Sequence, residues 1–185
     1  THLLGTQVSG KTLGLIGFGR IAQAVARRAH AGFGMRVLFH TRSAPPPEVV
    51  AALGATQAAS LDELLAQSDF VSLHCPGGAA THHLLNAERL ARMRPDAFLI
   101  NTARGDVVDQ DALIAALAAG RLAGAGLDVY AGEPRVPAPL LAMQNVVLLP
   151  HLGSASRETR VAMGLRVLAN LDAFFAGREP PDRVA

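Results

Sequence analysis

Thr12-Leu13-Gly14-Leu15-Ile16-Gly17-Phe18-Gly19-Arg20-Ile21-Ala22 is the stretch that most limits what this chain can become. An apolar run enters it, two glycines turn it, and Ile21, Ala24, Val25 and Ala29 leave it at helical spacing. The pattern predicts strand, tight turn and helix. Gly17 permits the turn. Gly19 lets a pyrophosphate reach the backbone amides at the helix start. Ala22 takes the small third position of G-x-G-x-x-G/A, where helix packs on strand. A glycine pattern alone also fits an ordinary turn, and it is the strand before and the helix after that select the dinucleotide reading.

The rest of the chain alternates in the same way. The first helix is expected from Ile21 to His30, ended by Gly32 and Gly34, and the second strand from Arg36 to Phe39. Pro45, Pro46 and Pro47 read as a stiff surface loop. Ser60, three residues before Glu63, forms a capping box that opens a helix to about Gln67. Phe70 to His74 reads as a buried strand, stopped by Cys75-Pro76-Gly77-Gly78. A short helix is expected from Asn86 to Met93, a strand from Ala97 to Asn101, and a helix from Asp109 to Ala119 with Gly120 as its cap. Ala125 to Leu127 and Val146 to Leu149 read as strands. Arg157 to Phe175 reads as a long helix with Val161, Leu165, Leu168 and Phe175 on one face. This alternation predicts an α/β fold of Rossmann type, a doubly wound parallel sheet with helices on both faces. Residues 1–152 form the dinucleotide domain, with 1–9 as a lead-in, and 153–185 form a C-terminal helix and tail.

Composition removes several function classes. Half of the 185 residues are hydrophobic and 17% are charged, which is the composition of a globular chain. Seventeen Lys and Arg stand against 15 Asp and Glu with no run of five basic residues, so no nucleic-acid partner is expected. No apolar run reaches the ~18 residues of a membrane span, and no signal peptide is visible. Cys75 is the lone cysteine, which points to a reducing, cytoplasmic setting. A start at Thr1 suggests a fragment or a processed product.

Ligands of such sheets bind beyond the carboxyl ends of the strands. Arg42, Cys75-Pro76, Arg104-Gly105, Asp128 and His151 each follow an expected strand, so five strands deliver them to the edge that holds Gly17 and Gly19. His74, Cys75, His82 and His83 match no familiar ligand spacing, and no metal is expected. Cys75 as a nucleophile lacks an evident base. An NAD site carries Asp or Glu about 20 residues past the glycine turn. Here that place reads His40-Thr41-Arg42-Ser43. Arg42 suits a 2′-phosphate, with Thr41 and Ser43 as donors, so NADP(H) is expected ahead of NAD(H).

Several long motifs follow in order: Gly17-Phe18-Gly19-Arg20-Ile21, Val71-Ser72-Leu73-His74-Cys75-Pro76, and Asn101-Thr102-Ala103-Arg104-Gly105-Asp106-Val107-Val108-Asp109. They continue with Gly126-Leu127-Asp128-Val129-Tyr130-Ala131-Gly132-Glu133-Pro134 and Leu149-Pro150-His151-Leu152-Gly153-Ser154-Ala155. With them the chain resembles the D-2-hydroxyacid dehydrogenase family, in its glyoxylate/hydroxypyruvate reductase branch. The resemblance implies Arg104, Glu133 and His151 as the catalytic set and Asp128 as the ligand of the nicotinamide amide. It implies Cys75 and Pro76 as the turn lining the nicotinamide, Thr81 near the cofactor phosphates, and Thr102 and Ala103 as backbone contacts. Gly17, Gly19, Arg20, Ile21 and Gly153 complete the implied cofactor set.

The implied reaction moves hydride from NADPH to the keto carbon of a small 2-keto acid, giving a D-2-hydroxy acid, in a homodimer. Arg104 would hold the carboxylate and keto oxygen, His151 would give the proton, and Glu133 would hold the other imidazole nitrogen. Family members carry a further segment before this chain's start that forms much of a substrate domain. The chain is therefore expected to be the cofactor-binding part, inactive alone. Two alternatives stand beside this reading: a non-catalytic dinucleotide-sensing module of the corepressor type, and a family member of other specificity, such as a phosphoglycerate, formate or phosphonate dehydrogenase.

Overall fold

The structure is a computed structural model that describes residues 4–183. It falls into two compact units, Thr1–Pro150 and His151–Ala185. The first unit is built on seven strands: β1 (Thr12–Ile16), β2 (Arg36–His40), β3 (Ala55–Gln57), β4 (Phe70–Leu73), β5 (Phe98–Asn101), β6 (Gly124–Leu127) and β7 (Val146–Leu148). All neighbouring pairs are parallel, in the order β3-β2-β1-β4-β5-β6-β7. The order reverses between β1 and β4, which is where such sheets open a crevice at their carboxyl ends.

The helices of this unit are α1 (Arg20–Phe33), α2 (Pro47–Ala52), α3 (Leu61–Gln67), α4 (Ala87–Leu90), α5 (Gln110–Ala118) and α6 (Ala138–Ala142). Side chains of β1 alternate between two cores. Leu13 and Leu15 pack with Phe18, Ala22, Ala26, Val37 and Phe39 on the α1 side. Ile16 packs with Leu61, Leu64, Leu65, Val71 and Leu73 on the α3 side. The capping box of α3 forms: Ser60 Oγ accepts from the Glu63 amide, and the Glu63 carboxylate accepts from the Ala59 amide at 2.7 Å. Asn86 and Asp109 cap α4 and α5 through their side-chain oxygens.

Two expectations are corrected, and two elements the sequence did not announce are added. Pro47 does not extend a loop but starts α2, where the missing N–H of proline is no loss at a first helical position. Strand β3 and helix α6 carry no periodicity long enough to show in sequence. In α1 the buried positions are Ala22, Ala26 and Ala29, whereas Ile21 is 71% exposed. Small side chains allow that helix to lie close on the sheet.

The second unit holds α7 (Arg157–Phe175), capped by Ser156, whose Oγ accepts from the Thr159 amide. Its tail is fixed by Asp182, which accepts from Arg166 Nη2 and Asn170 Nδ2 at 2.7 Å each. Ala173 is the buried residue of this helix, and the face Val161, Leu165, Leu168 and Phe175 is exposed.

Candidate functional site

The strand ends around β1 are stitched together by backbone. Gly17 N–H donates to the His40 carbonyl and His74 N–H donates to the Ile16 carbonyl, both at 2.8 Å. Gly17 has φ +91°, and an added Cβ would stand 2.8 Å from the His74 carbonyl oxygen. Conformation and packing both require glycine there. Gly19 differs. Its φ of −73° suits any residue, and a Cβ on it would meet nothing within 4 Å. It is the N-cap of α1, makes no side-chain cap, and is followed by a first turn without acid. An uncapped helix start beside an open Gly19 is an arrangement that can receive an anionic pyrophosphate.

Two cavities lie along this edge. One, of about 340 Å³, is lined by Gly17, Gly19, His40, Thr41, Arg42, Ser43, Thr81 and Arg89 among others, and no carboxylate lines it. The other, of about 710 Å³, is lined by Ile21, Gly77, Thr102, Ala103, Arg104 and Asp106 among others. His74, Cys75 and Pro76 line both, so the cavities meet beyond the end of β4. The exposed Ile21, expected in the helix core, is a wall of the second.

Arg104 is held from behind. Asn101 Nδ2 donates to the Arg104 carbonyl at 2.9 Å, and Asn101 Oδ1 accepts from the Ala103 amide at 3.0 Å. Gly105 passes against the Tyr130 carbonyl so closely that a Cβ would collide with it. The Arg104 stem also lies against Gly77, where a Cβ would stand 3.0 Å from its Cγ. Thr81 lines the smaller cavity, but its hydroxyl donates to the Pro76 carbonyl at 2.6 Å and so braces the loop.

Other expected site residues of the first unit line neither cavity. Arg20 is exposed in the first turn of α1 and lines neither cavity. Asp128 is 4% exposed, its amide bonded to the Asn101 carbonyl, and it lines neither cavity. Glu133 accepts from the Tyr130 amide at 3.0 Å and lines a separate opening of about 600 Å³ with Gln110 and Arg135. His151 and Gly153 belong to the second unit, are exposed there, and His151 has φ +57°.

The cavities also contain residues to which the sequence reading gave no site role: His40, His74, Arg89 and Asp106. His40 and His74 sit at strand ends, the same signal that singled out Arg42. His74 bonds Ser72 Oγ through Nε2 at 2.9 Å, and burial lowers its pKa to about 4, so it is uncharged at neutral pH. Burial likewise pushes the Cys75 thiol up, which keeps it protonated and unreactive. Among the described residues, no group of three or more His, Cys, Asp or Glu could hold a metal. No helix among them is long and apolar enough to cross a membrane.

Residues 1–153 match the family model described as D-isomer specific 2-hydroxyacid dehydrogenase, NAD binding domain. The chain belongs to this family. Its cofactor is a nicotinamide dinucleotide. The chain is 51% identical to a glyoxylate reductase of Thermococcus onnurineus (strain NA1) over 98% of its own length and 53% of that protein. An NADPH-dependent glyoxylate/hydroxypyruvate reductase of Sinorhizobium meliloti, solved with NADP and malonate, superposes with a TM-score of 0.88 at 43% identity, over 95% of this chain and 53% of that one. A D-lactate dehydrogenase of Lactobacillus jensenii, solved with NAD+, superposes with a TM-score of 0.88 at 33% identity, over 99% and 58%. The chain thus spans about half the length of the relatives it matches.

Proposed function

We propose that this chain is the cofactor-binding half of an NADPH-dependent reductase of small 2-keto acids, of the glyoxylate and hydroxypyruvate type. The observation that carries the cofactor choice is the smaller cavity: Thr41, Arg42 and Ser43 stand on its wall and no carboxylate does. Arg42 is exposed, and its fork suits the 2′-phosphate, while an acid would be needed to hold the free ribose hydroxyls of NAD. The substrate class follows the relatives named reductases, which also favour an enzyme over a corepressor-type sensor.

When bound, the reduced nicotinamide supplies the hydride. The chain's own residues do the rest. Arg104, on the larger cavity, holds the carboxylate and keto oxygen of the substrate through its planar fork. His151 is the proposed donor of the proton to the keto oxygen, and Glu133 the third member of the proposed catalytic set. Asp128 holds the nicotinamide amide. A cytoplasmic homodimer belongs to the same reading.

Turnover also needs a site closed against water. The chain as it stands is therefore proposed to bind dinucleotide without reducing keto acids. Calorimetry with NADPH followed by glyoxylate and hydroxypyruvate assays tests this. Binding without turnover is expected, and turnover near the usual range of about 1–10³ s⁻¹ would contradict it.

A further inference from the structure

The larger cavity carries a charge that an anionic substrate does not call for. Asp106 is the one carboxylate on its wall, with Arg104 as the cation there, and His74 is uncharged at neutral pH. Both side chains rest on Gly77: a Cβ on that residue would stand 3.0 Å from Arg104 Cγ and 3.0 Å from Asp106 Oδ1. Asp106 sits in a single 3-10 turn, Gly105–Val107, that follows β5. Its backbone is pinned. The Asp106 carbonyl accepts from the His83 amide at 2.8 Å, and the next carbonyl, of Val107, accepts from the Leu85 amide at 3.0 Å. Its carboxylate accepts a long bond, 3.4 Å, from the Gly78 amide. Among the described residues no cation forms an ion pair with it. Arg104 instead donates from Nη1 to the Ala103 carbonyl at 2.6 Å. The fold thus fixes a negative charge at the cavity without neutralising it.

A keto acid held through its carboxylate on Arg104 is an anion, and Asp106 opposes it. What a fixed carboxylate favours is a cation. On the cofactor reading above, the adenosine end takes the smaller cavity with Arg42. That leaves the larger cavity, joined to it at His74, Cys75 and Pro76, for the nicotinamide end. The field of Asp106 reaches this junction: burial pushes the Cys75 thiol up, and the charge of Asp106 adds to that while Arg42 works against it. A nicotinamide ring is neutral when reduced and cationic when oxidised. We propose that Asp106 is a specificity-determining residue for the oxidation state of the cofactor, its carboxylate favouring the cationic ring over the neutral one. In the reaction, hydride carries its electron pair from the reduced ring to the keto carbon, and a proton goes to the keto oxygen. The positive charge left on the ring is the charge that Asp106 stabilises. The inference rests on the dinucleotide reading and adds to it a residue that neither the glycine turn nor the Arg42 argument requires.

The test uses the chain as it is. NADP+, NADPH and 2′,5′-ADP, which lacks the nicotinamide, are titrated by calorimetry into wild type, Asp106→Asn and Asp106→Ser. Asp106→Asn keeps an oxygen for the Gly78 amide and removes the charge. NADP+ affinity is expected to fall about fivefold while NADPH affinity changes by less than about twofold, the effect of one nearby unit charge on a partly solvated cation. Binding of 2′,5′-ADP is expected to be unchanged. Asp106→Ser removes the charge and shortens the side chain, and is expected to show the same selective loss. In wild type, raising the salt from about 0.05 to about 0.5 M should lower the ratio of NADP+ to NADPH affinity, because screening weakens a contact between charges more than one with a neutral ring. Equal changes in NADP+ and NADPH affinity, including no change in either, overturn the proposal. A loss of 2′,5′-ADP binding as large as that of NADP+ also overturns it, since that is the mark of a structural aspartate. Wild type that binds neither dinucleotide defeats the cofactor reading itself, whereas wild type that binds both, with Asp106→Asn unaltered, defeats this proposal alone.

Discussion

Helices α1 and α7 both look apolar in sequence, and they do opposite things with that character. The fourteen residues of α1 bury Ala22, Ala26 and Ala29 in the core beside β1 and β2. The nineteen residues of α7 bury Ala173 and expose Val161, Leu165, Leu168 and Phe175, the last at 81%. Periodicity names a face, and only the elements around a helix decide whether that face is covered. The difference teaches where stability resides: in the first unit, between a sheet and the helices on its two sides, while α7 adds apolar surface without core.

The sharpest way to break that contrast is to cut side chains from both regions. Leu64 is fully buried beneath β1, and Leu64→Ala is expected to cost about 2–5 kcal/mol by chemical denaturation. An unchanged midpoint would show that the α3-side core is loose. Gly17→Ala follows, at about 2–4 kcal/mol, because it meets both a positive φ and the His74 carbonyl. It should also abolish dinucleotide binding, and a variant that binds NADPH normally would refute the turn's role.

The next effect is one of pH. His74 titrates at about 4 when folded and near 6.5 when unfolded, so between these values the unfolded chain binds more protons. Its contribution is full above pH 6.5 and is lost as the pH falls through about 4, by up to about 3 kcal/mol. His74→Gln should flatten the fall in stability over that window, and an identical pH profile would remove His74 as its source. At the small end stands α7. Leu168→Ala is expected within about 0.5 kcal/mol, as for surface positions in general, and a loss as large as that of Leu64 would mean that α7 is covered in solution.

What could be read in the sequence follows from the range of the physics involved. The β1–turn–α1 unit was legible because glycine geometry, apolar run and helix spacing are local and agree. The ends of β2, β4, β5 and β6 were legible to within a residue or so, and with them Arg42, Cys75 and Arg104. Helix α2 was hidden because Pro47 reads as a breaker when it is a start, and α6 because its five residues carry no periodicity long enough to show. The exposure of Ile21 depends on a cavity formed with residues from β4 and β5 loops, a tertiary fact no window around Ile21 contains. The same holds for Asp128 and Glu133, whose motif is unmistakable while their surroundings are set by Asn101 and Tyr130.

The central claim is that the wall formed by Thr41, Arg42 and Ser43 makes this an NADP(H) site. Calorimetric titration of the wild-type chain and Arg42→Ala with NADPH and NADH reads it most directly. The account predicts tighter binding of NADPH by wild type, and in Arg42→Ala a loss of about tenfold or more for NADPH with NADH little changed, the worth of a charge-assisted contact to phosphate. Tighter NADH binding by wild type, or an equal loss of both cofactors in the variant, would contradict it.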